Sequence, residues 1–172
     1  MTTPADREPF RMEFDIGTVK HLGLHMYSTL PPVIGELVAN GWDADAKRVE
    51  IAVPEGTLTD SSEIVVSDDG DGMSDKLVRD AYMIVGRDRR EDEDTDQTPS
   101  GRPLMGRKGI GKFCGFGIAN EIEVESLQGG ETSRFVMNYD QLKEAASKRV
   151  IEFPPLAPTG DVSKGRSYGC EA

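Results

Sequence analysis

Three short segments carry the residue types most able to do chemistry in this 172-residue chain: Glu36–Ala46 (ELVANGWDADA), Asp68–Met73 (DDGDGM) and Gly106–Phe113 (GRKGIGKF). The first falls within a helix pattern from about Pro31 to Lys47, with Pro32 suited to the first turn. At about 100° per residue, Glu36, Asn40, Asp43 and Lys47 fall within about 60° of one another and form one polar stripe. Ile34, Leu37, Val38 and Trp42 lie away from that stripe and can pack on a sheet. The stripe therefore faces either solvent or a site. If it faces a site, the Asn40 amide oxygen is a hard neutral ligand for Mg²⁺, an ion that keeps several waters and binds substrate phosphates with few protein ligands. Glu36, one turn earlier, can orient and deprotonate an attacking water.

In the second segment an apolar strand ends in Asp68 and passes into Gly70 and Gly72, which let the backbone approach a flat ligand or take positive φ. A carboxylate at Asp68 can accept a hydrogen bond from an adenine amine. A plain Asp/Gly turn fits the same residues. A calcium loop fits poorly, because counting from Asp69 puts Ser74 where the sharp-turn glycine belongs and Asp80 where the bidentate glutamate belongs. The third segment satisfies G-x-x-x-x-G-K through Lys112. Phe113 then replaces the Ser or Thr of a phosphate loop, and the preceding SGRPLM is no buried strand, so a P-loop NTPase is disfavoured. Gly106, Gly109 and Gly111 can still free backbone N–H groups to surround phosphate oxygens, and Arg107, Lys108 and Lys112 add positive charge. A flexible basic loop is the bland alternative.

The elements that must hold these segments follow from patterning. Strands are expected at Val49–Val53, Ile64–Val66, Glu121–Leu127, Arg134–Tyr139 and Arg149–Phe153, and helices at Met73–Val85, Ile110–Ile118 and Gln141–Ser147. Arg87–Gly101 is charged without apolar periodicity and is expected to be a mobile loop. Residues 1–14 read as a polar leader and 15–172 as one domain. Irregular alternation with short turns favours a two-layer α/β sandwich, α+β in connectivity, over a doubly wound parallel sheet. Acids outnumber bases 31 to 20, giving a net charge of −11, so broad attraction to nucleic acid is not expected. Two cysteines are too few for a disulfide framework and point to a reducing cytoplasm. No window approaches about 18 consecutive apolar residues, so no membrane partner is expected.

Taken together, the three segments resemble the GHKL ATPase superfamily of gyrase, the ninety-kilodalton chaperone, histidine kinases and MutL, over approximately Asp15–Tyr139. The form ELVANGWDADA looks most like the chaperone, MutL and microrchidia branch. The resemblance implies a Bergerat-type fold with a mixed, mostly antiparallel sheet and helices on one face, and ATP and Mg²⁺ as cofactors. It makes Glu36 the general base, Asn40 the Mg²⁺ ligand, and Asp43 with Ala44 part of the pocket wall, with Lys47 also in the nucleotide-binding set. Asp68 would hold the adenine amine while Gly70, Gly72 and Met73 line the base. Residues from about 86 to 113 would form an ATP lid, in which Gly106, Arg107, Lys108, Gly109, Ile110, Gly111, Lys112 and Phe113 meet the nucleotide. Two departures stand out. The Gly-Thr pair usual on the last strand is replaced by Gly165-Arg166-Ser167, and no following domain supplies the lysine many relatives place on the γ-phosphate. The reading therefore leaves open a truncated C-terminal side and slow hydrolysis by the isolated chain.

Mg²⁺-dependent ATP binding and hydrolysis, driving lid closure and an ATP-dependent homodimer within a larger machine, is the function the resemblance implies. The client, protein or DNA, would be reached through other domains or subunits. The alternatives are a non-hydrolysing ATP-sensing module and histidine-kinase-type phosphotransfer.

Overall fold

A computed structural model of the chain describes residues 7–13, 29–59, 61–85, 95–106, 109, 111–142, 150–159 and 165–171. The first long element is helix α1 (Leu30–Asp43), with prolines in its first turn and Val33, Leu37 and Gly41 buried at four-residue intervals. That buried line differs from the expected one: Val38 and Trp42 are exposed, so the apolar face is turned toward Val33. The helix also stops before Lys47. Ala46 N–H reaches back to Gly41 O and Asp45 N–H to Trp42 O, while Asp45 takes φ 59°, which together make a left-handed helix ending.

Strands β2 (Val49–Ala52), β3 (Glu63–Asp68), β4 (Glu121–Gln128), β5 (Glu131–Asn138) and β7 (Gly165–Glu171) form a five-stranded sheet in the order β2-β3-β7-β4-β5. Every pairing in it is antiparallel, so the mixed sheet expected from the sequence is not found among the described residues. The turn between β4 and β5 is Gly129-Gly130, both at positive φ, the pairing a tight hairpin requires. The last strand, whose sequence departs from the familiar pattern, lies in the middle of the sheet between β3 and β4.

One face of the sheet contributes Ile64, Val66, Ile122, Val124, Phe135 and Met137 to a core that also takes Val33 and Leu37 of α1. Phe113, Cys114 and Phe116 of a 3-10 helix (Gly111–Gly117) close the same core. That segment was expected to be an α-helix. The expected helix over Met73–Val85 is likewise broken into a short turn, α2 (Asp75–Leu77), capped by Ser74 and continued as a π-helical turn (Val78–Tyr82). Of the expected helix at Gln141–Ser147, all beyond residue 142 lies outside the described residues.

Residues 7–13, within the segment expected to be a polar leader, are part of this unit. Strand β1 (Phe10–Glu13) pairs antiparallel with β6 (Val150–Phe153), and Phe10, Met12 and Phe153 are fully buried. Phe135 joins the parts: its ring lies 4.9 Å from Phe10, 6.0 Å from Tyr82 and 6.2 Å from Phe153. Truncation of Phe135 to Ala is expected to destabilise the fold by about 3–5 kcal/mol in urea unfolding. A cost below about 1 kcal/mol would show that β1 and β6 do not depend on this cluster.

Candidate functional site

The site is built where the last turns of α1 meet the end of β3. Gly41 is buried there, and a methyl group added to it would stand 2.9 Å from Val49 Cγ2 and 3.4 Å from Asp68 Cβ. Val49 and Asp68 are opposite one another in the β2–β3 ladder. Asp68 is 7% exposed, and its Oδ1 accepts the Gly70 N–H at 2.9 Å. The loop after β3 is tied back to the end of the helix: Asp71 N–H donates to Ala44 O at 2.8 Å, and Asp69 Oδ1 accepts the N–H groups of Lys47 (2.7 Å) and Arg48 (2.8 Å). These bonds favour the charged carboxylate and hold the Asp69 pKa below its ordinary value, the Arg48 N–H contributing most.

Each glycine of the second segment is needed for a different reason. A side chain at Gly70 would stand 2.6 Å from Ala44 O, so Gly70 is demanded by close approach. Gly72 has φ 66°, and a side chain there would run into Leu127 O. The far side of this loop is held by β4, where Ser126 Oγ accepts the Met73 N–H at 2.8 Å and Gln128 Oε1 accepts the Ser74 N–H at 3.0 Å. The Gln128 amide also donates to Asp71 O. The structure thus gathers Ala44, Asp68, Gly70, Gly72 and Met73 in one place.

Glu36 and Asn40 are half-buried on the neighbouring face of α1 and converge on Gly111. A methyl group on Gly111 would lie 3.1 Å from Glu36 Oε2 and 3.8 Å from Asn40 Oδ1, so only a glycine leaves this corner open. Asp43, one turn further on, accepts the N–H groups of Met105 (2.7 Å) and Gly106 (2.8 Å). Its carboxylate is therefore an anchor for the glycine-rich segment rather than a bare pocket wall. Lys47 has left the helix and is exposed, so it does not continue the stripe.

The third segment is divided by the structure. Gly109 is exposed at φ 59°, and Arg107, Lys108 and Ile110 lie outside the described residues. Lys112 was expected to offer charge to phosphate. Instead it is 8% exposed, its ammonium donates to the carbonyls of Tyr82 and Ile84, and it lies over the Tyr82 ring. Phe113, expected beside the nucleotide, is a core residue packed on Phe116. Burial of an ammonium is tolerated where carbonyls replace its water, as here.

Residues 95–106, which include the described part (95–101) of the expected mobile loop, are docked on the end of α1. Asp45 accepts hydrogen bonds from the Thr98 and Ser100 hydroxyls and from Ser100 N–H, with the Arg102 guanidinium 3.8 Å away. The Ser100 and Thr98 hydroxyls are the main reason its pKa lies below the ordinary value of 3.8. Arg102 stacks on Trp42 and donates to Ala46 O, while Trp42 Nε1 donates to Pro103 O. The contacts of Gly41, Asp45, Ser126 and Gln128 were missed by sequence reasoning. None of them carried a local signal, because the groups they meet lie on other segments of the chain. An open cleft of about 430 Å³ lined by Glu121, Val136, Asn138, Gln141, Pro154 and Leu156 contains none of the predicted residues.

A buried acid is thus held against a glycine loop, and an acid–amide pair on helix α1 faces a glycine-rich segment. Residues 27–168 match the family described as histidine kinase-, DNA gyrase B-, and HSP90-like ATPase. The chain belongs to that family. It is 36% identical over 146 residues to "Putative type II restriction enzyme HgiDII" of Herpetosiphon aurantiacus, covering 85% of this chain and 23% of that protein. It is 29% identical over 154 residues to the chaperone protein HtpG of Gluconobacter oxydans, covering 79% and 24%. To HtpG of Rhizobium meliloti it is 31% identical over 137 residues, covering 69% and 22%. The chain thus spans about a quarter of the length of these curated relatives.

Asp45 makes the docking of residues 95–106 sensitive to acid. Because its pKa is depressed in the folded state, its stabilisation is present above the unfolded-state value and lost as pH falls through the lowered folded value. Acidification from pH 6 to well below the ordinary carboxylate range should therefore red-shift the emission of Trp42, the single tryptophan, and raise its quenching by acrylamide. Asp45→Gly should show the released spectrum already at pH 7, since glycine suits the left-handed helix ending but cannot hold Thr98 and Ser100. Emission from this variant that matches the parent at pH 7 would contradict the anchoring role.

Proposed function

We propose that this chain is a Mg²⁺-dependent ATP-binding and ATP-hydrolysing module of a larger protein, built as a Bergerat-type two-layer sandwich. The observation that carries this reading is the convergence of Glu36 and Asn40 on Gly111, beside the slot where Asp68 is held. Asp68 accepts the adenine amine, and the backbone between Gly70 and Met73 lines the base. The triphosphate runs along α1 toward the glycine-rich segment, where Gly106, Gly109 and Gly111, with Arg107 and Lys108, meet its oxygens. Asn40 Oδ1 fits Mg²⁺ because that ion takes hard oxygen ligands and needs few from protein. When bound, the ion supplies charge neutralisation on the phosphate oxygens. Glu36 accepts the proton of the water that attacks the γ-phosphorus, the bond from that phosphorus to the β-γ bridging oxygen breaks, and ADP leaves.

Among the described residues no helix is long and apolar enough to cross a membrane, and this reading implies the cytoplasm. Residues 86–113 act as the lid, with Asp43 and Asp45 fixing its C-terminal half, and closure on ATP supports pairing with a second copy. The client lies with parts beyond this chain's homologous region. Likeness to a protein named as a restriction enzyme, at 36% identity over most of this chain, favours a DNA-acting assembly over a chaperone. A net charge of −11 assigns the DNA contact to other parts of that assembly.

Glu36→Ala is expected to keep ATP affinity within about threefold while hydrolysis falls by about 100-fold or more, read as phosphate release under single-turnover conditions. Turnover at the parental rate would show that another group activates the water. Parental binding with no hydrolysis in either protein would favour the ATP-sensing alternative.

A further inference from the structure

We propose that edge strand β2 joins two copies of this chain into one continuous sheet about a two-fold axis at Ile51, a contact that needs no nucleotide and is separate from pairing through the lid. Among the described residues nothing pairs with the far side of β2, the end strand of the five-stranded sheet. The backbone there has a definite phase. Asp69 N–H donates to Arg48 O and Arg48 N–H donates to Asp69 Oδ1, so both polar groups of Arg48 are turned toward the β3 side. Successive residues of a strand turn these groups to opposite sides. Val49 and Ile51 therefore present theirs to the open edge, and the same alternation reaches Val53. Unpaired edge groups are a template for another strand.

The side chains follow the same alternation. Ile51 lies opposite the core residue Val66 and so stands on the helix-covered side of the sheet, yet it is 44% exposed, and Val53 is 43% exposed. Edge strands are commonly blunted by lysine, proline, a bulge or an inward charge, and Val49–Val53 has none of these. The run VEIAV also matches itself when reversed. In an antiparallel pairing centred on Ile51, Ile51 meets Ile51 of the second copy, Val49 meets Val53, and on the outer face Glu50 meets Ala52. Centring on Glu50 would set two glutamates directly opposite, which is unfavourable, and centring on Ala52 would set Val49 against Glu55. A register that satisfies both strands with the same residues is what an isologous contact requires, and it favours a second copy over an unrelated strand. Because Val49 stands opposite Asp68, the joint lies one strand away from each candidate site and sets both on the same face of the joined sheet.

The test is sedimentation velocity of the chain over a concentration series without nucleotide, in about 0.15 M salt to screen the repulsion between two chains of net charge −11. A monomer–dimer equilibrium is expected. Ala52 is exposed, so its variants should fold. Ala52→Glu puts a glutamate opposite Glu50 of the second copy at two symmetric points and should weaken the dimer by about fivefold or more. Ala52→Lys should tighten it. The reverse order, or no effect of either variant, would overturn the proposal, as would a parent that stays monomeric or that pairs only when ATP is added. If Ala52→Glu does not fold, as judged by circular dichroism, two cysteine variants decide. Residue 51 lies on the axis, so Ile51→Cys oxidised with copper–phenanthroline should give a disulfide-linked dimer, whereas Val53→Cys, whose neighbour is Val49, should not exceed the parent. Equal linking of the two variants, or none by Ile51→Cys, contradicts the proposed register.

Discussion

The close approach of helix α1 to the end of strand β3 is the constraint on which the rest of the site depends. Two chain segments that are far apart in sequence become each other's hydrogen-bond partners there: Ala44 O takes Asp71 N–H, and Asp69 takes the N–H groups of Lys47 and Arg48. Glycines on both sides, Gly41 and Gly70, remove the side chains that would hold the segments apart. The result places a buried carboxylate, Asp68, in a slot with polar backbone on one side and helix on the other. A buried acid is costly unless its charge is met by donors, so the slot and the acid are only stable together.

The same helix end governs the glycine-rich segment. By turning left-handed at Asp45, α1 ends with two aspartates pointing at residues 95–106. Asp43 holds Met105 and Gly106, while Asp45 holds Thr98 and Ser100. Left-handed conformation is unfavourable for an aspartate by comparison with glycine, and the side-chain bonds offset that cost. The described half of the expected lid is thus an arm fixed to the helix that carries Glu36 and Asn40. At its other end Lys112 and Phe113 are sunk into the protein.

Much of the placement of the candidate residues was legible in the sequence because it is local. A helical period alone puts Glu36 and Asn40 on one face, and the strand-to-glycine transition at Asp68 marks where a backbone must bend. The left-handed stop at Asp45 was not legible, because Ala44, Ala46 and Lys47 all suit a continuing helix and the deciding contacts come from Thr98 and Ser100. Gly41 escaped notice for a similar reason: its partners are Val49 and Asp68, and nothing in the motif announces them. The burial of Lys112 was not legible, because position in a basic, glycine-rich run does not say which way a side chain turns. The strand β1 was hidden by a polar start, although Phe10 and Met12 alternate with charged residues as a half-buried strand should.

The chain belongs to an ATPase family, and it spans about a quarter of the length of the curated relatives it matches. The most direct measurement is calorimetric titration of the chain with ATP and Mg²⁺, alongside Asp68→Asn, which keeps the shape of the side chain and removes its charge. The account predicts saturable binding by the parent and affinity at least about tenfold weaker in the variant. Equal affinity in the two folded proteins, or no binding by the folded parent, would contradict it.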